Sequence, residues 1–386
     1  MIYKDTNSVN GGDFVSSVAN YQGYANQLAG YVASMKNHYG VNLYAVSIQN
    51  EPDYSATYES CLWTALQFHD FIPYLATALT NYGVAATRIL FAEDSAWNFD
   101  LTTNVMNDPV TASSVGILAA HNYGTIAAPV NSQGKPLWET EVSTYDPYDG
   151  SITNALYWAG QIHQFLTIAQ VNAWHFWWLI PYNTDNEGLT DTAGNPARRM
   201  YVLGNYSRFV RPGYYRIDVA NNAFTQISAY KDPNSGAFAI VAVNSSFNPV
   251  TQTFNLTNFN AGSVTPWITS GTLALSSQPA ITVSNASFAY ELPALSVVTF
   301  VGQAYVPPFS LGIAHPSAGG NAFVLSWNAT PGATYSVLRT SRLAGTNMNW
   351  PALLTGYPAG GAQGGPLSFT DVTAGIATNF YRVRNP

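Results

Sequence analysis

The sequence carries little charge. Only 9% of its 386 residues are Asp, Glu, Lys or Arg, against about 25% in an average globular protein. The 21 acidic residues outnumber the 14 Lys and Arg residues, so the formal net charge is -7. Because a nucleic-acid-binding surface requires a basic patch, this balance argues against a nucleic-acid partner.

Cysteine and long hydrophobic runs are also scarce. The single cysteine, Cys61, excludes an internal disulfide framework and a cysteine-based zinc site. No apolar run reaches the ~18 residues that would span a membrane. The first residues, MIYKDTNSVNGG, do not have the pattern of a signal peptide. No ligand cluster or cofactor motif is present, so we predict neither a metal nor a cofactor.

Aromatic residues are abundant, at 14% of the chain, with 25 Tyr and 10 Trp. Aromatic faces beside neutral hydrogen-bonding groups suit hydroxyl-rich ligands such as sugars. The same composition also fits a β-rich secreted protein that packs many aromatic side chains. Composition alone leaves both interpretations open.

The first part of the chain alternates helical and strand patterns. Gly40 is a plausible C-cap for a helix over 21–39, and Ser151 is a plausible N-cap for a later helix. Pro73 predicts a kink or a helix start within 64–82. Apolar strands that alternate with amphipathic helices indicate a parallel α/β arrangement. The predicted strands are 43–49, 88–94, 115–123, 136–142 and 173–180.

Beyond residue 212 the pattern changes to short alternating runs with turns, which is typical of β-sandwiches. A Pro-marked stretch, AYVPPFS, indicates a linker. The last part of the chain is again β-rich, and we predict a small fibronectin-like sandwich that serves either as a spacer or as a carbohydrate-binding accessory. The predicted domains are 1–212 (partial catalytic barrel), 213–303 (side β-sandwich), 304–310 (linker) and 311–386 (C-terminal β-sandwich).

Two acids, Glu51 and Glu141, each follow an apolar strand. In parallel α/β folds the chemistry lies at the C-terminal ends of the strands. Hydrolysis of a glycosidic bond requires two carboxyl groups, one that protonates the leaving oxygen and one that attacks the anomeric carbon or activates water. A strand-end Glu is also often a cap or a solvated edge. The Glu93-Asp94 pair fits a structural role or a distal subsite, and a lone His121 is commonly a core histidine.

Several motifs together resemble glycoside hydrolase family 30. SIQNEPDY and LWETE resemble the segments that carry the acid/base on strand four and the nucleophile on strand seven of that family's (β/α)8 barrel. HNYGT and FWW resemble its motifs on strands six and eight, and RFVRPGYYRID resembles its passage into the side sandwich. DTNSVNGG resembles the loop after its third strand. The resemblance covers about residues 1–302.

This resemblance implies a retaining mechanism with Glu51 as acid/base and Glu141 as nucleophile, with Glu139 the less favoured acid in WETE. It places Asn50 on the substrate's 2-hydroxyl and Tyr123 near Glu141. We therefore expect Glu51 to have a raised pKa and Glu141 to stay ionised. The other predicted substrate-binding residues are Trp63, Trp97, His121, Trp177 and Trp178.

Two features depart from the family pattern. If residues 44–51 form strand four, no sequence precedes them for the first three strands, and a barrel needs about 250 residues. We therefore expect α/β plus all-β architecture with an N-terminally incomplete TIM barrel of about five strands. Three explanations are open: a fragment of a longer gene product, a homodimer that covers the open side of the barrel, or a reduced fold. We favour a fragment or a reduced form, and expect weakened activity. In the glucuronoxylan-specific branch an arginine soon after strand eight binds glucuronate, whereas here Arg198 and Arg199 come later.

The hypothesis is an extracellular endo-β-1,4-xylanase that acts on plain or arabinose-substituted xylan without depending on glucuronate. Its partner is a plant cell-wall polysaccharide, xylan or β-glucan. One alternative is an endo-β-glucanase or other β-glycanase of the same family. The other is a non-catalytic carbohydrate-binding remnant of a truncated barrel.

Overall fold

In the computed structural model the chain divides into two units, Met1–Ala304 and Tyr305–Pro386. Within the predicted linker, residues 305–309 lie outside the described residues. The described residues are 2–220, 225–257, 259–304, 310–314, 322–329, 333–341, 350–359, 361–362, 365–373 and 378–384.

The helices of the first unit begin and end at local signals. Helix α1 begins after Ser17, whose hydroxyl accepts from the Asn20 amide, and ends at Gly40, which has a left-handed φ of 67°. Helix α2 begins with a capping box and continues through Pro73, so the predicted helix start at that residue is wrong. Among the described residues no helix is long and apolar enough to cross a membrane. The helices are α1 Val18–Tyr39, α2 Ala65–Asn81, α3 Thr103–Met106, α4 Pro109–Ser114, α5 Ile152–Gln164 and α6 Arg198–Ser207.

Five parallel strands form one sheet in sequence order, β1-β2-β3-β4-β5. The order confirms the predicted alternation of strands and helices. Several strands are shorter than predicted, because the chain leaves the sheet before the polar and aromatic residues that follow. The strands are β1 Ala45–Ser47, β2 Arg88–Asp94, β3 Val115–Ala120, β4 Leu137–Glu139 and β5 Ala173–Trp174.

One face of this sheet packs on the helices. Phe68, Phe71 and Leu75 of α2 are fully buried and belong to the same core as Ile89 and Phe91 of β2. Full burial of each such side chain contributes roughly 1.5–3 kcal/mol. This packing fixes the direction of the strands and therefore the position of their C-terminal ends.

An aromatic contact on the other face shows that the sheet is strongly curved. The ring of Tyr44, just before β1, stacks on Trp138 of β4, with 5.8 Å between centroids and 3° between planes. Strands β1 and β4 are three steps apart, which is roughly 14 Å in a flat sheet. Contact across that span requires curvature of the kind found in a barrel wall. Leu90 and Ile117 are buried in a small apolar cluster against which Trp138 packs.

An antiparallel sandwich completes the first unit. Its larger sheet has the order β11-β10-β14-β8-β7-β6, with β12 paired to β10, and β13 pairs with β9. Helices α5 and α6 pack on it, and the fully buried Asn205 of α6 exchanges hydrogen bonds with Thr269 and Thr299. The strands are β6 Tyr215–Ile217, β7 Gln226–Lys231, β8 Ala237–Asn244, β9 Val250–Asn255, β10 Ala261–Thr269, β11 Ser276–Ser277, β12 Ile281–Thr282, β13 Ser287–Leu292 and β14 Ser296–Ala304.

The second unit contains two three-stranded antiparallel sheets, β15-β16-β19 and β18-β17-β20. Its core includes the buried Leu325, Trp327 and Val337. With the parallel sheet and the first sandwich, it confirms the predicted combination of α/β and all-β structure. The strands are β15 Gly312–Ala314, β16 Phe323–Ala329, β17 Tyr335–Thr340, β18 Ala352–Tyr357, β19 Gly365–Asp371 and β20 Phe380–Arg384.

Candidate active site

Two carboxylates and one imidazole meet at the C-terminal end of the parallel sheet. His121 follows β3, and its Nδ1 lies 3.2 Å from Oε1 of Glu51 and 3.7 Å from Oε1 of Glu141. One side-chain atom from each of the three residues lies within 4.8 Å of the other two. Glu51 and His121 are buried and Glu141 is half-buried. The sheet thus brings together acids that are far apart in the sequence.

The backbone holds Glu51 in an unusual conformation. Its φ is 43°, in the left-handed region that non-glycine residues rarely adopt. The Glu51 amide donates to the Glu93 carbonyl at 3.0 Å, and the Glu51 carbonyl accepts from the Tyr54 amide at 3.0 Å. Backbone strain of this kind is found where the surrounding structure fixes a functional side chain. These bonds turn the chain sharply between β1 and the following loop.

Each carboxylate has its own tyrosine. The Tyr58 hydroxyl donates to Oε2 of Glu51. The Tyr123 hydroxyl donates to Oε1 of Glu141 at 3.1 Å. Next to Tyr123, the Asn122 amide donates to the Glu141 carbonyl at 3.1 Å. The segment after β3 therefore positions both the side chain and the backbone of Glu141.

The electrostatics of the pair are the reverse of the expected order. Burial alone would raise the pKa of Glu51, but hydrogen bonds from His121 and Tyr58 and the attraction of His121 lower it overall. Burial raises the pKa of Glu141, and repulsion by Glu51 and Glu93 adds to this, against the opposing effects of His121 and Tyr123. The expectation of a raised pKa at Glu51 is wrong for this structure, because two donors converge on that carboxylate.

The acids around His121 favour its protonated form. Burial lowers the pKa of the imidazole, but the hydrogen bond to Glu51 and the charges of Glu141, Glu93 and Glu51 raise it overall. A protonated His121 would neutralise part of the repulsion between the two carboxylates. The geometry of the group would also suit a small cation, although a cation would have to displace hydrogen bonds to both acids.

The acidic pair at the end of β2 divides into two environments. Glu93 lies at a register shift between β2 and β3, has a φ of 61°, and accepts from the Ser47 hydroxyl. Asp94 is buried, and neither of its carboxylate oxygens has a hydrogen-bond partner among the described residues. Burial and repulsion by Asp53 and Asp100 raise the pKa of Asp94 to about 8. Glu93 therefore acts on the site through its charge, whereas Asp94 is a buried protonated acid.

Known proteins share this architecture. The chain is 37% identical over 297 residues to a Bacillus subtilis (strain 168) protein named glucuronoxylanase XynC, covering 73% of this chain and 66% of the relative. Among solved structures, the glycoside hydrolase family 30 subfamily 8 xylanase Xyn30A from Clostridium acetobutylicum has a TM-score of 0.71 and 33% identity, covering 78% of this chain and 77% of that one. The chain belongs to glycoside hydrolase family 30. A family 30 endoxylanase from Clostridium papyrosolvens C71 has a TM-score of 0.65 and 32% identity over 76% of this chain and 74% of that one.

The family 30 chain spans 66% of the length of the curated relatives it matches. No family model matches it. Membership of family 30 is shown by the sequence identity to the curated relatives and by the similarity to the solved structures. This membership confirms the resemblance that the sequence motifs indicate.

Two of the predicted sugar-binding tryptophans lie in the core of the family 30 chain. Trp63 is 4% exposed and stacks on Phe14 with 4.1 Å between centroids. Trp97 is 8% exposed, and its Nε1 donates to the Ala128 carbonyl at 2.9 Å. Such buried rings offer little surface to a sugar. Their contacts are those of packing residues in the core.

The aromatic residues after β5 are more accessible. Trp177 is 38% exposed and lies edge-on to the half-buried Trp178, with 5.3 Å between centroids. Tyr182 is 84% exposed and also contacts Trp178 edge-on, at 4.7 Å. Asn50 is exposed beside Glu51. These positions leave polar and aromatic surface available to a ligand.

Glu139, the less favoured acid of WETE, has contacts different from those of Glu51 and Glu141. It is fully buried, and its Oε2 accepts from the His175 amide at 3.0 Å. Burial raises its pKa well above the usual range. These contacts are consistent with a structural role at the end of β4.

Sequence reasoning missed Tyr58 and Tyr145. Tyr58 contacts Glu51 directly. Tyr145 is 70% exposed, and its pKa is raised by partial desolvation and by the charges of Glu187, Glu51 and Glu141. Both tyrosines lie on irregular segments, where no periodicity indicates the direction of a side chain. Their nearness in sequence to Glu51 and Glu141 was the available signal.

Proposed function

We propose that this chain is a retaining endo-β-1,4-xylanase, with Glu51 as acid/base and Glu141 as nucleophile. The observation that carries the proposal is the approach of the two carboxylates, whose nearest side-chain atoms lie within 4.8 Å around His121. Retaining glycosidases separate their carboxyl groups by about 5–5.5 Å, and inverting enzymes by about 6.5–9.5 Å. The short separation supports direct attack by Glu141 over attack by an intervening water.

In the first step a Glu141 oxygen attacks the anomeric carbon of the xylose unit, and the bond to the leaving sugar oxygen breaks. Glu51 gives its proton to that oxygen, so the leaving chain departs as an alcohol. In the second step Glu51 takes a proton from water, and the resulting hydroxide displaces Glu141 from the anomeric carbon. The two inversions restore the β configuration.

The polar surroundings support this division of roles. The Tyr123 hydroxyl, 3.1 Å from Glu141, orients the attacking carboxylate and stabilises its charge. His121 lies between the two acids, and its protonated form, which these acids favour, reduces their mutual repulsion. Asn50 is proposed to hydrogen-bond the 2-hydroxyl of the sugar, a contact that strengthens as the transition state forms.

Xylan is the proposed substrate class. The similar proteins from Bacillus subtilis, Clostridium acetobutylicum and Clostridium papyrosolvens are named glucuronoxylanase, xylanase and endoxylanase, respectively. The Trp177 amide donates to the carbonyl of Val142, the residue after Glu141, at 3.0 Å. Trp177, Trp178 and Tyr182, which contact one another, thus provide aromatic surface on which pyranose rings can stack. Because xylan is a plant cell-wall polymer, we also propose an extracellular site of action. The predicted homodimer remains a proposal that light scattering of the purified protein would test.

We further propose that glucuronate side chains are not required. Arg198 donates to the Gly271 and Leu273 carbonyls at 2.9 and 3.1 Å. Arg199 is 1% exposed and donates to the Gly188 carbonyl at 2.6 Å. Neither guanidinium is available for bidentate recognition of a substrate carboxylate. Rates on xylans that differ only in glucuronate content should therefore agree, and activity confined to decorated xylan would refute this part of the proposal.

Reducing-sugar release from a panel of xylans and β-glucans tests the function as a whole. The parent should act on xylan, whereas Glu51→Gln and Glu141→Gln should each lose most activity. Glu59→Gln, at an exposed glutamate in the same loop as Glu51, is the matched control. Preferred release from β-glucan would favour the related β-glucanase activity. Xylan binding without release by the parent would favour the non-catalytic alternative.

A further inference from the structure

The two oxygens of the Glu51 carboxylate face different surroundings. Oε1 lies 3.2 Å from the ring of His121, whose side chain is 1% exposed. Oε2 accepts from Tyr58, which is 44% exposed. Of the two oxygens, Oε2 is therefore the one on the solvent side, where a leaving sugar would have to meet its proton donor.

The loop that carries Tyr58 is anchored on both sides. The amide and hydroxyl of Ser95 donate to the Asp53 carboxylate at 2.8 and 2.9 Å. At the other end, the Ser60 hydroxyl accepts from the Gly11 amide at 2.7 Å, and the Ser60 carbonyl accepts from Lys4 at 2.7 Å. Because the flanks are fixed, Tyr58 is held over Glu51 while its hydroxyl can still exchange partners.

We propose that Tyr58 is a positioning residue that binds the outward oxygen of Glu51 in the free protein and yields it to the leaving-group oxygen of a bound glycan. The inference rests on the proposed function, because it assumes that Glu51 is the proton donor. It adds that the substrate controls the protonation of Glu51: Tyr58 favours the ionised form of Glu51 until a sugar occupies the leaving-group position.

The direction of the hydrogen bond at Oε2 decides which protonation state of Glu51 it favours. The Tyr58 hydroxyl donates to Glu51, so the bond favours the carboxylate over the carboxylic acid. A glycosidic oxygen can only accept, so its arrival at Oε2 favours the protonated acid. Replacing one partner by the other therefore couples proton uptake by Glu51 to occupancy of the leaving-group position.

Other titratable groups also face Glu51 and must be held constant in a test. His121 bonds to the inner oxygen. The charge of Glu51 reaches Glu141 and Tyr145, and Glu93 acts on the same cluster through His121. Replacing Tyr58 with Phe leaves all of these groups in place and removes a single hydroxyl.

The direct test is a titration of the Glu51 carboxyl by carbon NMR on protein labelled at glutamate, with Glu51→Gln used to assign the signal. The measurement does not depend on catalysis. In Tyr58→Phe the Glu51 midpoint should rise by about one pH unit, because a hydrogen bond to the charged form is lost. Tyr54→Phe is the control, since Tyr54 lies in the same loop with a similarly exposed ring. An unchanged midpoint in Tyr58→Phe, or an equal rise in Tyr54→Phe, overturns the proposal.

The second test uses the pH dependence of kcat/KM on soluble xylan. Loss of the Glu51 proton sets the alkaline limb, so Tyr58→Phe should move that limb to higher pH by about one unit. An effect on folding alone would change the melting temperature and leave the limb in place, which would count against the proposal. If the parent shows no hydrolysis, the proposed function fails, and the NMR titration still decides whether Tyr58 controls the protonation of Glu51.

Discussion

Replacement of Tyr123 by Phe should weaken the proposed nucleophile in a measurable way. The change removes one hydroxyl, which donates to Oε1 of Glu141 at 3.1 Å, and keeps the ring that lies edge-on to His121. A hydrogen bond to a charged group contributes about 1.5–3 kcal/mol. If this stabilisation is realised in the transition state, kcat/KM should fall about 10- to 150-fold.

The same change should also move the acid limb of the pH profile. Burial already raises the pKa of Glu141, and the Tyr123 hydroxyl is one of the groups that oppose this rise. Without the hydroxyl the pKa of Glu141 rises further, so the carboxylate becomes protonated at higher pH. The acid limb should therefore shift towards neutral pH, and the range of active pH should narrow from the acid side.

The assay is kcat/KM on soluble xylan across the pH range for the parent, Tyr123→Phe and a control. Tyr31→Phe is suitable as the control because Tyr31 is exposed on α1. Melting temperatures of all three proteins separate catalytic loss from unfolding. A folded Tyr123→Phe protein with kcat/KM within about twofold of the parent and an unmoved acid limb would refute the reasoning, since a 1.5 kcal/mol bond predicts at least a tenfold loss.

Three further predictions concern stability and metal. The pKa of Asp94 is about 8 in the folded protein, above the unfolded value of about 4. Between these pH values the folded state holds a proton that the unfolded chain has lost. The free energy of unfolding therefore falls as pH rises from about 4 to 8. Asp94→Asn should therefore gain stability over the parent by up to about 1.4 kcal/mol per pH unit across that window, in urea unfolding at several pH values, and the exposed Asp218→Asn should not. Arg199→Lys should lower the free energy of unfolding by about 2–4 kcal/mol, because the buried guanidinium donates to the Gly188 and Asp149 carbonyls and to two asparagine side-chain oxygens. In thermal unfolding, Arg198→Lys should lose much less stability. Equal losses in the two variants would contradict this prediction. A chelator should leave xylan hydrolysis unchanged, because the proposed steps use only carboxylates, and loss of activity restored by a divalent cation would contradict them.

Much of the fold could be predicted from periodicity and capping residues. Gly40 and Ser151 occupy the cap positions that their chemistry suggests. The alternation of apolar strands and amphipathic helices predicts a parallel sheet, and a parallel sheet places the residues after each strand at one edge. That rule alone is enough to bring Glu51, His121 and Glu141 together.

The remaining features depend on contacts that sequence spacing does not encode. Trp63 and Trp97 have the residue type of sugar-stacking platforms, yet each is buried against other aromatic rings. The lowered pKa of Glu51 depends on His121 and on Tyr58, which reaches Glu51 from an irregular loop. The direction of a side chain on such a loop follows from tertiary packing, so neither its contact with Glu51 nor the resulting electrostatics could be derived from a helical or strand period.

The measurement that tests the central claim most directly is covalent trapping of the nucleophile. A 2-fluoro xylobioside with a good leaving group forms the glycosyl-enzyme of a retaining enzyme and slows its hydrolysis, and the labelled peptide can be identified by mass spectrometry. The account predicts one label per chain, on Glu141, and no label in Glu141→Gln. A label on another carboxylate, or hydrolysis of xylan with release of the inverted anomer, would contradict it.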